Sequence, residues 1–398
     1  MGAVAHWRAA GRSSITSHRA GRRSGLSHRR KCHVIVLKTT CSWMCVATVG
    51  FLLFLAVCLL YLPDSVSQSF ASTAEKSSEV TLLIWTHPFS RYRRLPDCQA
   101  LYQVSGCTLT DDWRAYPHAD AVIIHHREIA TNVSELPPEP RPRLQKWIWM
   151  NFESPTHSRG LWRFEGVFNL TMTYRTDSDI FVPYGYLIPL RHAPQGPKHL
   201  RRHHHLPGQA LRAPSRAHLR PRLVVWVISN WSESHARVLL YHQLSRYVQV
   251  DVFGRAGRPI PGDSGSDSLV RLVSKYQFYL ALENSQHTDY ITEKLWNAVL
   301  AGAVPVVLGP SRDNYERFLP PEAFIHVDDF ATVRELAQYL LLLRRSPARL
   351  QRHLDWRRSY RVHQPSFWAE HYCTACVAVK NAKGRTDVVT DIANWFQS

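Results

Sequence analysis

The stretch Gln277–Pro310, QFYLALENSQHTDYITEKLWNAVLAGAVPVVLGP, constrains the fold more than any other. Gln277–Leu282 is a short apolar run with two aromatics and reads as a buried strand, followed by a polar turn over Glu283–Thr288. Asp289 can cap a helix whose apolar residues Ile291, Leu295, Ala298 and Val299 recur at i, i+4, i+7 and i+8. Gly302 ends that helix, and Val304–Leu308 reads as a second buried strand. Strand, helix and strand in this order make a β-α-β unit, so the sheet that holds it is parallel at this point.

The other helix face carries Tyr290, Glu293, Lys294 and Asn297, at i, i+3, i+4 and i+7. Tyr290–Lys294 stand in the first turn, beside free backbone N–H groups and the positive end of the helix dipole. They also follow the carboxyl end of a strand, where α/β sheets bind ligands. A solvated helix face is the plain reading of any one of these residues. Together with Glu283-Asn284 and the Gly302 stop they point to a phosphate-bearing sugar donor, with Lys294 for the diphosphate and Glu293 for hydroxyls. Neither a G-x-x-x-x-G-K-[ST] loop nor a G-x-G-x-x-G fingerprint is present.

Charge is unevenly placed. The first 42 residues hold nine Arg or Lys and no acid, and the next twenty, Trp43–Leu62, are uncharged. That is the length of one bilayer span, and Tyr61-Leu62-Pro63 offers no small-residue cleavage site. The basic flank predicts a cytosolic tail over 1–42, a signal-anchor helix over 43–62 and a luminal remainder: type II topology. Residues 63–79 are Ser-rich and read as a stem. Of the net charge of +18, the tail supplies +9, and the acid-free stretch Ile180–Ser232 supplies +8. The body is thus nearly neutral, which removes nucleic-acid binding. Residues 191–221, rich in Pro, His and Arg, read as a linker between a first domain at 80–190 and a second at 222–365, with 366–398 a C-terminal segment. His203-His204-His205 in that linker read as a solvated run.

Strands are expected at Val80–Trp85, Ala121–His125, Lys146–Met150, Leu223–Ile228 and Val248–Phe253. Ser229-Asn230 ends one of them, and Arg237 opens the following helix. Asn132 and Asn169 are N-glycan acceptors by their N-x-[ST] context. Four cysteines fall on the luminal side, Cys98, Cys107, Cys373 and Cys376, an even number that implies two disulfides with three possible connectivities. Asp177-x-Asp179 imitates a metal-binding D-x-D, but Lys294 and Arg237 can neutralise a diphosphate without a cation.

The block FYLALENSQHTDYITEKLWNAVLAGAVPVVLGPSRDNYERFLPPEAFIHVDDF resembles the donor-binding signature of the animal Golgi α-1,3-fucosyltransferases, glycosyltransferase family 10. WVISNWSESHARVLLYHQL resembles their second donor motif and WIWMNFESPTH their acceptor-side motif, while VDVFGRAG and RRSYRVHQPSFW lean towards the myeloid-type branch. The resemblance covers roughly Val80 to the end, without the basic linker. It implies the GT-B fold, two Rossmann-like domains facing a cleft, behind the transmembrane helix and stem. It implies GDP-β-L-fucose as donor, type 2 N-acetyllactosamine chains of glycoproteins and glycolipids as acceptor, and no required metal or other cofactor. By the same resemblance Glu153 is the general base. Tyr184, Trp226, Ser229, Asn230, Arg237, Tyr279, Asn284, Tyr290, Glu293 and Lys294 contact the donor, and Arg127 selects type 2 acceptors. The implied disulfides are Cys98–Cys373 and Cys107–Cys376; a third pair found in other members matches Val225 and Tyr276 here. The implied location is the Golgi membrane, with a homodimer among the partners. A catalytically weak luminal glycan-binding or scaffold protein of the same fold is the alternative reading.

Overall fold

A computed structural model describes residues 79–190, 220–262 and 265–398. The expected tail, anchor, stem and most of the linker lie outside the described residues.

Two parallel sheets organise Glu75–Ser398, which forms one compact unit. The first contains β1 (Val80–Ile84), β2 (Cys107–Thr110), β3 (Ala121–His125), β4 (Lys146–Asn151), β5 (Leu170–Thr173) and β6 (Ile180–Phe181), in the order β2-β1-β3-β4-β5-β6. After β7 (Tyr186–Pro189), the second contains β8 (Arg222–Val227), β9 (Val250–Phe253), β10 (Tyr276–Leu282), β11 (Val304–Leu308) and β12 (Ile325–His326), in the order β12-β11-β10-β8-β9. Every pairing within these two sheets is parallel. A late strand, β13 (Tyr360–His363), returns to pair antiparallel with β7.

Strand order reverses once in each sheet, between β1 and β3 and between β8 and β10. Such reversals open a crevice at the carboxyl edge, where doubly wound sheets take their ligands. β3 and β10 have every residue buried, as expected of strands covered on both faces.

The β-α-β unit expected over Gln277–Pro310 is formed by β10, the helix Glu293–Ala301 and β11, with Gly302 at φ 70° as the left-handed stop. Ile291, Leu295, Ala298 and Val299 are all buried. The helix start departs from expectation. Asp289 does not cap it; Thr292 is the N-cap residue, and Asp289 sits at φ 60° before it. The Asp289 carboxylate is drawn elsewhere, to the N–H and hydroxyl of Thr176 at 2.9 and 2.7 Å, the Asn314 amide at 2.7 Å and Arg317 at 3.1 Å. One buried acid thus ties the turn after β5 to the second sheet.

The C-terminal segment completes the first body. In the helix Ala369–Asn381, Tyr372, Ala375, Cys376 and Val379 join the core of β1, β3 and β4, and Ile392 and Phe396 of the helix Ile392–Gln397 join the core on the other face. Cys98–Cys373 and Cys107–Cys376 are both bonded. Val225 and Tyr276 are not the ends of a lost bridge. Their strands pair Val225 with Tyr279 and Tyr276 with Arg222, so the two lie three residues out of register, about 10 Å apart.

Candidate active site

The chain leaves β8 through Ser229 and Asn230, both exposed, and enters the helix Ala236–Leu244 with Arg237 in its first turn. Arg237 is 5% exposed, one guanidinium N–H donates to the Asn230 carbonyl at 2.6 Å, and its Nε has no partner among the described residues. Burial lowers its pKa, opposed by the carboxylates of Glu283 and Glu293. A buried cation with an unused donor is matched by an anion.

Across the crevice, Glu283 directly follows β10 and is 3% exposed. Its carboxylate accepts the Thr292 N–H and hydroxyl at 2.9 Å each and the Lys294 ammonium at 2.9 Å. Burial pushes the Glu283 carboxyl up, with Lys294 opposing. Burial alone would lower Lys294, but the Glu283 and Glu293 carboxylates outweigh it and hold the ammonium above the ordinary lysine value. Glu293 stays half-exposed and reaches Lys294 at 3.2 Å. Sequence reasoning placed Lys294 in the site but missed that Glu283 already offsets its charge. Two carboxylates against one ammonium leave this cluster net negative, so Arg237 is the cation least spoken for. The only sequence signal for Glu283 was an acid closing an otherwise apolar strand.

The remaining expected donor residues divide. Asn284 follows Glu283, half-buried, and accepts from the Ser285 hydroxyl at 3.3 Å. Tyr290 is 3% exposed and packs on Tyr174 with ring centres 5.1 Å apart. Asn297 is also buried, with Gln364 at 3.4 Å, so the Tyr290 and Asn297 ends of the polar helix face are covered by protein while Glu293 between them stays open to water. Tyr184 donates to the Phe152 carbonyl at 2.5 Å, and Gly185 after it lies flat on Trp296, where a Cβ would come within 2.3 Å of the ring. Trp226 and Tyr279 are not presented at the crevice. Trp226 is 1% exposed and packs on Trp231 and Tyr241, and Tyr279 lies in the core that includes Leu295 and Trp296.

Glu153 follows β4, half-buried, its N–H donating to the Asn151 side chain at 3.1 Å. Burial raises the pKa of Tyr174, Tyr184 and Tyr290, and the Glu153 carboxylate adds to each shift, which places it among residues from both sheets. The loop behind it touches the loop behind Glu283 twice: the Ser285 hydroxyl donates to Ser154 Oγ at 2.6 Å, and Thr156 Oγ1 meets His287 Nε2 at 2.7 Å. Neither contact is legible from sequence, since 131 residues separate each pair. The Arg127 guanidinium lies 5.0 Å from the Phe89 ring, at the end of β3. Next to it, His125 Nδ1 and Glu128 meet at 2.5 Å in the interior.

Both acids of the D-x-D lookalike are used internally. Asp177 pairs with Arg175 at 2.8 Å and accepts from Trp395, and Asp179 accepts from the Thr171 N–H and hydroxyl. Of the glycan acceptors, Asn132 is exposed, whereas Asn169 donates to the carbonyls of Asp387 at 3.0 Å and Thr386 at 3.4 Å. A glycan on Asn169 replaces one of those N–H donors.

A family profile described as glycosyltransferase family 10 (fucosyltransferase) C-term matches residues 217–395, and one described as fucosyltransferase, N-terminal, matches 77–185. The chain belongs to glycosyltransferase family 10. Human Alpha-(1,3)-fucosyltransferase 4 is 46% identical over 361 residues, covering 81% of this family 10 chain and 65% of that protein, so the chain spans just under two thirds of it. Human 4-galactosyl-N-acetylglucosaminide 3-alpha-L-fucosyltransferase FUT5 is 46% identical over 318 residues, 79% of each. A crystal structure of an alpha1,3-fucosyltransferase with GDP-fucose aligns with a TM-score of 0.47 at 17% identity, over 80% of this chain and 95% of that one.

Proposed function

We propose that this family 10 chain is an inverting α-1,3-fucosyltransferase, moving L-fucose from GDP-β-L-fucose to the 3-hydroxyl of GlcNAc in type 2 N-acetyllactosamine chains of glycoproteins and glycolipids. The observation that carries the reading is the meeting of two strand-end loops. The Ser154–Ser285 and Thr156–His287 contacts bring the carboxylate after β4 to the crevice between β8 and β10 that Arg237 and Lys294 line. One relative named for alpha-(1,3)-fucose transfer and another named as a 4-galactosyl-N-acetylglucosaminide 3-alpha-L-fucosyltransferase support the same reaction.

In this mechanism Arg237 and Lys294 take the diphosphate, Ser229, Asn230, Asn284, Tyr184 and Tyr290 surround the nucleotide sugar, and Glu293 takes fucose hydroxyls. Trp226 and Tyr279 act from beneath as packing. The GlcNAc 3-oxygen attacks the anomeric carbon from the face opposite the diphosphate. As the new C–O bond forms, the anomeric bond to GDP breaks with its electron pair, and Glu153 accepts the hydroxyl proton. One displacement turns the β donor into an α link. The charge on the departing GDP is met by side chains, so no metal is required. The body takes the GT-B arrangement and hangs on the Trp43–Leu62 anchor in the Golgi lumen.

Fucose transfer by the full-length chain from GDP-fucose to N-acetyllactosamine, with EDTA present, tests this reading. Fucosylated type 2 product at undiminished rate supports the reaction, the acceptor class and the absence of a metal requirement. No product from a folded chain that binds GDP overturns it.

A further inference from the structure

The carboxyl edge of the first sheet carries an aromatic surface that the chemistry at Glu153 leaves unused. Trp113 opens the short turn Trp113–His118 after β2 and is 56% exposed. Its inner face stacks on Trp85 with centroids 4.5 Å apart and planes at 17°, and its indole N–H is spent on the Trp85 carbonyl at 3.2 Å. The loop after the neighbouring strand β1 is tied to the β2 end by His87 Nε2 and Asp111 at 3.0 Å; in it Phe89 is 40% exposed under Arg127, and Tyr92, 72% exposed, leans on His87 at 5.3 Å. The loop between is held in a costly conformation: Phe89 and Ser90 both have positive φ, 60° and 51°, a region that costs such residues about 1 kcal/mol or more each. Glu128 holds this loop in place by accepting the Ser90 N–H at 3.2 Å. Strain of this kind clusters where a surface must be presented in one shape.

A rigid indole, propped from behind and with no donor left, has one open apolar face. The apolar C–H face of a pyranose complements it, with the sugar hydroxyls remaining in water. The position also fits. Trp113 follows β2 and Glu153 follows β4, three strand spacings or about 14 Å apart on one edge, with Arg127 between them. We propose that Trp113, propped by Trp85 and with Phe89 and Tyr92 exposed on the neighbouring strand-end loop, is a subsite for pyranose units that the acceptor carries beyond the disaccharide at Glu153. The inference rests on the transferase reading for the Glu153 end of that acceptor and adds the far end.

The test compares kcat/KM of the full-length chain for N-acetyllactosamine and for its neutral tetrasaccharide repeat, in wild type, Trp113→Ala and Trp113→Tyr. Trp113→Ala should lower the tetrasaccharide value about threefold to tenfold, the worth of one stacked ring, and leave the disaccharide value unchanged. Trp113→Tyr, which keeps a ring, should restore most of it. Equal loss on both acceptors, or no loss on either, overturns the subsite. Saturation-transfer NMR of the tetrasaccharide is read in parallel, because it does not need turnover. A saturation signal on the outer sugars that is present in wild type and disappears in Trp113→Ala supports the subsite even where fucose transfer fails. Fucose transfer by a wild-type chain that gives no such signal leaves the proposed function standing and the subsite refuted.

Discussion

Lys294→Met separates two jobs of one side chain. The Lys294 ammonium meets Glu283 at 2.9 Å, and the Glu283 side chain is 1% exposed. Removing the cation leaves the two Thr292 donors in place but strands a buried negative charge, and breaking a buried pair from one side costs about 3–5 kcal/mol. The 289 described residues, 79–190, 220–262 and 265–398, have an unfolding entropy of about 0.6 kcal/mol/K, which turns that cost into a Tm lower by about 5–8 °C. The deficit should depend on pH. Without Lys294, burial holds the folded Glu283 pKa above the unfolded value near 4.3. A raised carboxyl is destabilising above its unfolded pKa and harmless below it, so the Tm gap to wild type should shrink as pH falls from 8 towards 5. Adding Glu283→Gln removes the stranded charge and should restore most of the lost Tm, while the donor KM stays high because the diphosphate still lacks its cation. Thermal unfolding at pH 8, 6.5 and 5, with donor KM for the single and double variants, reads both jobs. A Lys294→Met Tm equal to wild type at pH 8 would refute the electrostatic argument, and a double variant with the wild-type donor KM would take Lys294 out of the donor site.

Glu153→Gln should lower kcat by about 10²–10⁴-fold with little change in donor KM; a wild-type kcat in the transfer assay removes its role as base. The two disulfides are nearly parallel, so deleting Cys98–Cys373 alone opens a ring of roughly a dozen residues, worth about 3 kcal/mol, because Cys107–Cys376 still closes the long loop. Deleting both also releases a loop of sequence separation 275, for a total of about 8 kcal/mol, and urea midpoints that were merely additive would contradict this. Asp289→Leu should cost roughly 3–5 kcal/mol, since it strips four hydrogen-bond donors of their acceptor, whereas Asp289→Asn tolerates the left-handed φ and should cost far less in the same titration. His126 and His371, pulled down to about 4 by burial, stay neutral in the fold while unfolded histidines charge near 6.5. Their stabilisation is full above pH 6.5 and is lost as pH falls towards 4, roughly 3 kcal/mol each, so His371→Gln should flatten the acid limb of the stability–pH curve.

What was legible in the sequence follows the range of the forces involved. β10 and β11 were readable because burial on both faces writes a continuous apolar run, and Gly302 because a left-handed stop favours one residue type. Asp289 was misread for the converse reason. Its local context offered a helix N-terminus, but Thr176, 113 residues earlier, competed for the same carboxylate and won with two hydrogen bonds. The site was legible as a set of residue types and not as a set of pairs. Lys294 looked like a free cation until Glu283 was found beneath it, and Trp226 and Tyr279 looked available until the sheet buried them. Glu153 came from a motif; the loop contacts that aim it across the crevice depend on tertiary structure alone.

The helix Ala369–Asn381 belongs to the core of the first sheet although it is made after the whole of the second. On a ribosome this inverts the usual order of assembly. β1 to β6 emerge before the second sheet, yet the apolar surface that Tyr372, Ala375, Val379 and Phe396 will cover stays open until residues 372–396 arrive. At roughly 5–20 residues per second, Cys98 waits on the order of 15–50 s as a free thiol before Cys373 exists. The half of the molecule that carries Glu153 is therefore the first to be synthesised and the last to be finished.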